Sequence, residues 1–185
     1  MGKGCGMFAY VLFALMWIVI IFSWTIPMIR KGILHEIYES LGLGGFFSFL
    51  ILGVDGVLVE HNILPLKVVG FLLYIPAGFF VASAFASLKR RGKPEEGWEE
   101  TTEMIESGVF RLVRHPLYLG TAIFTVAFML IFQSLPSVIL GIVCIALFWL
   151  ASKREDDYNI EKFGDGYEEY MKRVPMWNFF KGLKR

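Results

Sequence analysis

The sequence predicts an all-α integral membrane protein of about five transmembrane helices, followed by a cytoplasmic amphipathic helical tail. Three observations lead there. Hydrophobic residues make up 56% of the 185 and mean hydropathy is +0.57, above what a soluble domain carries. The apolar residues are gathered into long blocks, whereas a soluble helix would show one apolar stripe. Lys and Arg are divided very unevenly among the connections between those blocks. The net charge of +1 hides this division and gives no basis for a nucleic-acid partner.

Taken in order, the first span covers residues 7–26. Its charged n-region is only Lys3, it runs long, and no small-residue cleavage site comes after it, so it reads as a span and not a signal peptide. Arg30 and Lys31 come next, then an amphipathic interfacial stretch with Ile33, His35, Ile37 and Tyr38. The second span covers residues 41–59. Gly44 and Gly45 suit close helix packing. Asp55 lies near the middle of this span, where an ionisable group faces the bundle interior, either as a structural hydrogen bond or lining a substrate tunnel. Glu60 and His61 mark its outer boundary.

The third span covers residues 64–88 and ends in the basic block Lys89, Arg90, Arg91 and Lys93, a lipid-headgroup anchor. An acidic stretch comes after it, with six glutamates from Glu95 to Glu106. Met104 and Ile105 in it precede a Ser107-Gly108 turn and are candidates for lining a pocket. The fourth and fifth spans, residues 117–132 and 137–152, are joined only through residues 133–136, so they predict a tight helical hairpin. Beyond them Tyr158, Phe163, Tyr167, Tyr170 and Met171 recur at helical spacing, with Gly164 to break the run and Asp165 to cap the next turn. One or two amphipathic helices packed under the membrane domain are expected, with Lys153 and Asp157 as a surface i,i+4 pair.

With this topology, sixteen of the 18 Lys and Arg residues fall on the side that holds the first and third connections and the tail; Lys3 and Lys67 fall on the other. That asymmetry places the C-terminus in the cytoplasm. The chain reads as one membrane-embedded domain over residues 1–185, with the first two spans in residues 1–63 and a core in residues 64–185. Cys5 and Cys144 are far apart and offer neither a disulfide framework nor a metal-ligand spacing, and no metal is expected.

Chemistry concentrates in ESGVFRLVRHPLYLG, residues 106–120. Pro116 suits the first helical position, which leaves His115 near the N-cap and Arg114 just before it. Alone, the pair reads as a snorkelling arginine and a capping histidine. The hairpin adds a constraint. The start of the fourth span and the end of the fifth must be neighbours, so Arg114 and His115 should face Glu155 and Asp156. A basic, His-bearing cluster opposite carboxylates suits a zwitterionic ligand, whose carboxylate meets Arg or a helix N-terminus while a cation or ribose hydroxyls meet the acids. The non-enzyme alternative is a small helical scaffold or permease, in which Asp55 and the cytoplasmic charges serve ion passage or assembly.

Together with EDDYNIEKFGDGYEEYMKRVP, residues 155–175, that block resembles the isoprenylcysteine carboxyl methyltransferase family of integral membrane enzymes, which is related to the phospholipid N-methyltransferases. The resemblance covers the C-terminal half; the first two spans match in hydropathy alone. It implies transfer of the methyl group of S-adenosylmethionine to a lipid-like or prenylated acceptor from the bilayer, most simply an isoprenylcysteine carboxylate. A phospholipid amine is the alternative acceptor, and a sterol-type NADPH reductase is a more distant one. By position, the resemblance implies cofactor contacts at Thr102, Glu103, Met104, Ile105, Phe110, His115, Pro116, Leu117, Tyr118, Glu155 and Asp156, with Arg114, His115 and Glu155 carrying the reaction. Asp156 stands where the family usually has a second glutamate, and Phe110 where relatives commonly have tyrosine. Ala151 stands where prenylcysteine enzymes look to have a substrate-orienting arginine, a task for which Arg154 or Lys153 is the substitute. A carboxylate acceptor needs no general base, whereas an ammonium must first lose a proton, with His115, Glu155 or Asp156 to take it.

Overall fold

The computed structural model describes residues 3–54, 56–91 and 103–184, and among them every regular element is helical. Helix α1 (Lys3–Ile20) passes through a π-helical turn (Ile21–Thr25) into α2 (Ile26–Lys31), so the first apolar helix runs five residues beyond its expected end at Ile26. Pro27 explains the π turn. It has no N–H for the carbonyl four residues back, and the widened turn lets the Ile26 N–H reach the Ile21 carbonyl instead. Gly32, at φ 73°, ends the helix in the left-handed conformation that glycine adopts cheaply.

Helix α3 (Leu34–Val54) begins before the expected residue 41 and ends before residue 59. The stretch read as an interfacial connection is therefore its first two turns. Its polar side chains are matched there: the Trp24 indole donates to Glu36 at 2.6 Å, and the Thr25 and Ser40 hydroxyls are 2.9 Å apart. Deeper along the pair, Trp17 donates to Ser48 at 3.2 Å. The close approach expected at Gly44 and Gly45 is present: a Cβ on Gly44 would meet the Trp17 ring at 2.7 Å, and one on Gly45 would overlap Cys144 Sγ. Asp55 lies outside the described residues.

Helix α4 (Leu64–Arg91) matches the third span closely, and α5 (Pro116–Phe132) the fourth. Gln133, at φ 53°, makes the hairpin turn. Its side-chain amide brackets Ile63, accepting from the backbone N–H at 2.7 Å and donating to the carbonyl at 2.9 Å. Helix α6 (Leu135–Phe163) differs most from expectation. It does not stop near residue 152 but continues through the charged segment, because no Gly or Pro interrupts residues 152–163 and Lys153, Arg154, Glu155, Glu161 and Lys162 are good helix formers. Gly164, at φ 61°, then breaks it. Helix α7 (Asp165–Arg173) starts directly after; Gly164 holds the capping position and Asp165 sits in the first turn. Helix α8 (Phe179–Leu183) is capped by Asn178, whose side chain accepts from the Lys181 N–H at 2.9 Å.

Among the described residues three helical runs, Met7–Lys31, Leu64–Arg90 and Leu135–Phe163, are long and apolar enough to cross a membrane; Pro116–Phe132 is shorter. The protein is an all-α integral membrane protein. It divides into two compact units, Met1–Tyr74 with Ala122–Ala151, and Ile75–Thr121 with Ser152–Arg185. The first is packed around aromatic rings, with Phe49 stacked on Phe128 (5.5 Å) and Phe128 on Phe132 (5.8 Å). The second buries Val109, Val113, Tyr118, Tyr167, Tyr170 and Val174.

Candidate active site

The site belongs to the second unit. A 3₁₀ turn at Gly108–Arg111 reverses the chain, with Gly108 at φ 66°. The next-door Pro116 biases His115 away from helical backbone, and the two residues before the proline run alongside the C-terminal tail. The Arg114 N–H donates to the Pro175 carbonyl at 3.0 Å and the His115 N–H to that of Met176 at 3.4 Å. Helix α5 then opens at Pro116, and the Leu119 N–H reaches back to the His115 carbonyl at 3.0 Å.

Arg114 and His115 face Asp156 and Glu155, as the hairpin requires. The Arg114 guanidinium grips Asp156 with two bonds, Nε to Oδ1 at 3.2 Å and Nη2 to Oδ2 at 2.7 Å. Its Nη1 donates to the carbonyls of Met171 and Val174. Both side chains are buried, at 9% and 7% exposure. Asp156 Oδ1 also meets His115 Nε2 at 2.8 Å and accepts from the Tyr167 hydroxyl at 2.7 Å. On its other edge, His115 Nδ1 is 3.6 Å from Glu155 Oε2, and Glu155 is 32% exposed. The imidazole lies nearly parallel to the Tyr118 ring, with centroids 5.8 Å apart.

Burial by itself would lower the His115 pKa, but the Asp156 and Glu155 carboxylates on its two edges outweigh that and raise it from 6.5 to about 9. The imidazole is thus cationic at neutral pH. Burial, reinforced by the Asp156 charge, pushes the Tyr167 phenol well up, so it keeps its proton and donates it to Asp156. Burial likewise raises Tyr170, whose hydroxyl donates to the Phe110 carbonyl at 2.6 Å.

The remaining expected residues divide. Pro116, Leu117 and Tyr118 form the first turn of α5 beside His115. Met104 packs against the Tyr167, Tyr170 and Val174 cluster, and Ile105 is buried. Glu103 is exposed, and Thr102 lies outside the described residues. Ala151 is fully buried. Arg154, the offered substitute for a substrate arginine, pairs at 3.3 Å with Asp157, both of them largely exposed.

Sequence reasoning missed Tyr167 and Tyr170 as polar partners. Their spacing marked them as the apolar face of a helix, and their hydroxyls find targets only once α7 docks. It missed Trp177 as well, whose indole donates to Ser152 at 2.9 Å.

One stretch of the chain contains α4, the Arg114-His115 pair, the hairpin and the Glu155-Asp156 pair, and a family model described as phospholipid methyltransferase matches it over residues 66–166, more than half of the sequence. The chain belongs to the phospholipid methyltransferase family. Two curated relatives are similar to it, both named protein-S-isoprenylcysteine O-methyltransferase. The one from Schizosaccharomyces pombe is 32% identical over 73 residues, 39% of this chain and 31% of the relative. The one from Dictyostelium discoideum is 30% identical over 81 residues, 43% of this chain and 33% of the relative. The match thus spans about a third of the length of these relatives. No solved structure matches. The phospholipid methyltransferase match takes in Arg114, His115, Glu155 and Asp156 but stops one residue before Tyr167. In this family member, one partner of the buried carboxylate therefore comes from the tail outside the matched region.

Proposed function

We propose that the protein transfers a methyl group from S-adenosylmethionine to an isoprenylcysteine-type carboxylate presented from the bilayer. The donor set fits this cofactor. The first turn of α5 has N–H groups with no acceptor inside the helix, suited to an amino-acid carboxylate. Glu155, partly exposed beside His115, suits an ammonium or ribose hydroxyls. Bound there, S-adenosylmethionine supplies an electrophilic methyl on a sulfonium. The protein's task is alignment and exclusion of water. Glu155 would hold the cofactor's polar end, while Arg114, His115 and Asp156, whose polar atoms are already engaged, would position it.

The observation that carries the choice of acceptor is the state of His115. Held between Asp156 at 2.8 Å and Glu155 at 3.6 Å, it keeps its proton at neutral pH and is not available as a general base. Asp156 has its carboxylate filled by Arg114, His115 and Tyr167. With two of the three base candidates engaged, such a site favours an acceptor that arrives ionised over an ammonium that must be deprotonated first. The names of the two curated relatives point the same way. The charge asymmetry supports a cytoplasmic C-terminus, which accessibility of a tag at that end in sealed vesicles would check.

The test is reconstitution in vesicles with methyl-labelled cofactor and either a prenylcysteine or phosphatidylethanolamine. Label released as volatile methanol by base, from the prenylcysteine arm, is the expected result. Label retained on nitrogen in the phospholipid arm overturns the carboxylate assignment, and no transfer in either arm overturns the methyltransferase reading. Glu155→Gln should depress transfer and cofactor binding together while leaving thermal unfolding near that of the parent.

A further inference from the structure

The end of the tail carries apolar side chains that neither the site nor the core uses. Helix α8 is oriented by three contacts within its own unit. Trp177 is bonded to Ser152, Gly182 lies so close to the Leu112 backbone that a Cβ there would overlap it, and the Phe179 ring packs edge-on against Phe80 at 5.3 Å. This arrangement turns Phe180 and Leu183, one helical turn apart, outward at 75% and 55% exposure. Lys181 and Lys184 are exposed beside them.

The position of Phe80 gives this patch its meaning. Phe80 contacts Phe79 at 5.6 Å, and Phe79 is 54% exposed on a helix long and apolar enough to cross a membrane. It also stands nine residues before Lys89, where the basic end of α4 begins, so Phe179 docks about 13 Å inside that end along the helix axis. A ring packed at that depth, continued by an exposed Phe and Leu with lysines alongside, has the composition of an interfacial anchor.

We propose that the segment Phe179–Leu183 dips into the leaflet beside α4. Phe180 and Leu183 enter the boundary between acyl chains and headgroups, and Lys181 and Lys184 meet anionic headgroups. The occupant of the patch is thus the lipid surface itself. Since Pro175 and Met176, just upstream, are bonded to Arg114 and His115, the bilayer would hold one wall of the candidate site in place. The proposal rests on the membrane fold and not on the methyl-transfer reading.

Site-directed spin labelling of the full chain tests it. In a Cys5→Ser, Cys144→Ala background, single cysteines at Phe180, Lys181 and Ile75 are labelled, and the proteins are reconstituted in phosphatidylcholine vesicles with and without phosphatidylserine. Ile75 serves as the lipid-facing reference on α4, being 72% exposed. Expected is a label at 180 that collides with oxygen as at 75 and with a water-soluble nickel chelate several-fold less than at 181. Equal nickel collisions at 180 and 181 overturn the proposal, as does shielding of 180 from both reagents, which a second protein copy would produce. Lys181→Glu with Lys184→Glu should raise nickel access at 180 only where phosphatidylserine is present; an equal rise in both vesicles removes the anionic headgroups from the account.

Discussion

Two regions of this protein bury polar side chains and wire them in opposite ways. Between α1 and α3 they form separate two-membered contacts: Trp17 with Ser48, Thr25 with Ser40, Trp24 with Glu36. At the candidate site they converge on one carboxylate, with Arg114, His115 and Tyr167 all meeting Asp156. Isolated pairs of uncharged side chains inside a membrane, such as Trp17–Ser48 and Thr25–Ser40, contribute about 0.6 kcal/mol each, so the α1–α3 seam depends on glycine-mediated contact and uses its hydrogen bonds to set register. A shared buried charge behaves differently, because removing the common member leaves the others uncompensated. The first wiring tolerates single losses, and the second does not.

The hardest test of that contrast is Asp156→Ala, which should cost about 3–5 kcal/mol by stranding a buried guanidinium and imidazolium. Detergent-solubilised protein would show this as a large drop in unfolding midpoint, with Asp156→Asn in between. A midpoint near the parent's would mean that water screens the cluster and that the fold does not depend on it.

Next in size is the pH response. Because the folded-state pKa of His115 is raised from 6.5 to about 9, its stabilisation is complete below about pH 6.5 and disappears as pH rises through 9. The unfolding midpoint should fall across that window, and His115→Gln should flatten the fall. An unchanged slope in His115→Gln would assign the titration to another group.

Tyr167→Phe removes one hydrogen bond to the ionised Asp156 and should cost about 1.5–3 kcal/mol. In the other region, Gly44→Leu should cost about 1–3 kcal/mol by overpacking against the Trp17 ring, with partial recovery on adding Trp17→Leu. Smallest is Thr25→Val, at about 0.6 kcal/mol, since Ser40 keeps its bond to the Ile37 carbonyl. If Thr25→Val rivals Tyr167→Phe in a chemical unfolding series, the two regions are not wired differently after all.

Much of the fold was legible in the chain because long apolar blocks answer to hydropathy alone. Local rules were enough for the α4 and α5 positions, the tight hairpin and the Gly164 break. Helix ends were harder to read. The early start of α3 depends on Trp24 and Thr25 giving Glu36 and Ser40 partners, and those partners come from another helix. The unbroken α6 was obscured because its polarity changes at residue 153 while its helix propensity does not.

The sequence by itself determined which charges share one end of the hairpin, since apolar spans of about equal length and a short turn bring Arg114 and His115 opposite Glu155 and Asp156. The tertiary structure decided which of those charges remain available. Arg114 spends its donors on Asp156 and on the Met171 and Val174 carbonyls, and Tyr167 completes the Asp156 shell, leaving Glu155 as the half-open carboxylate. Those partners are carbonyls and hydroxyls whose directions depend on how α7 turns back after Gly164, and a backbone oxygen carries no trace of its direction in the residue's name.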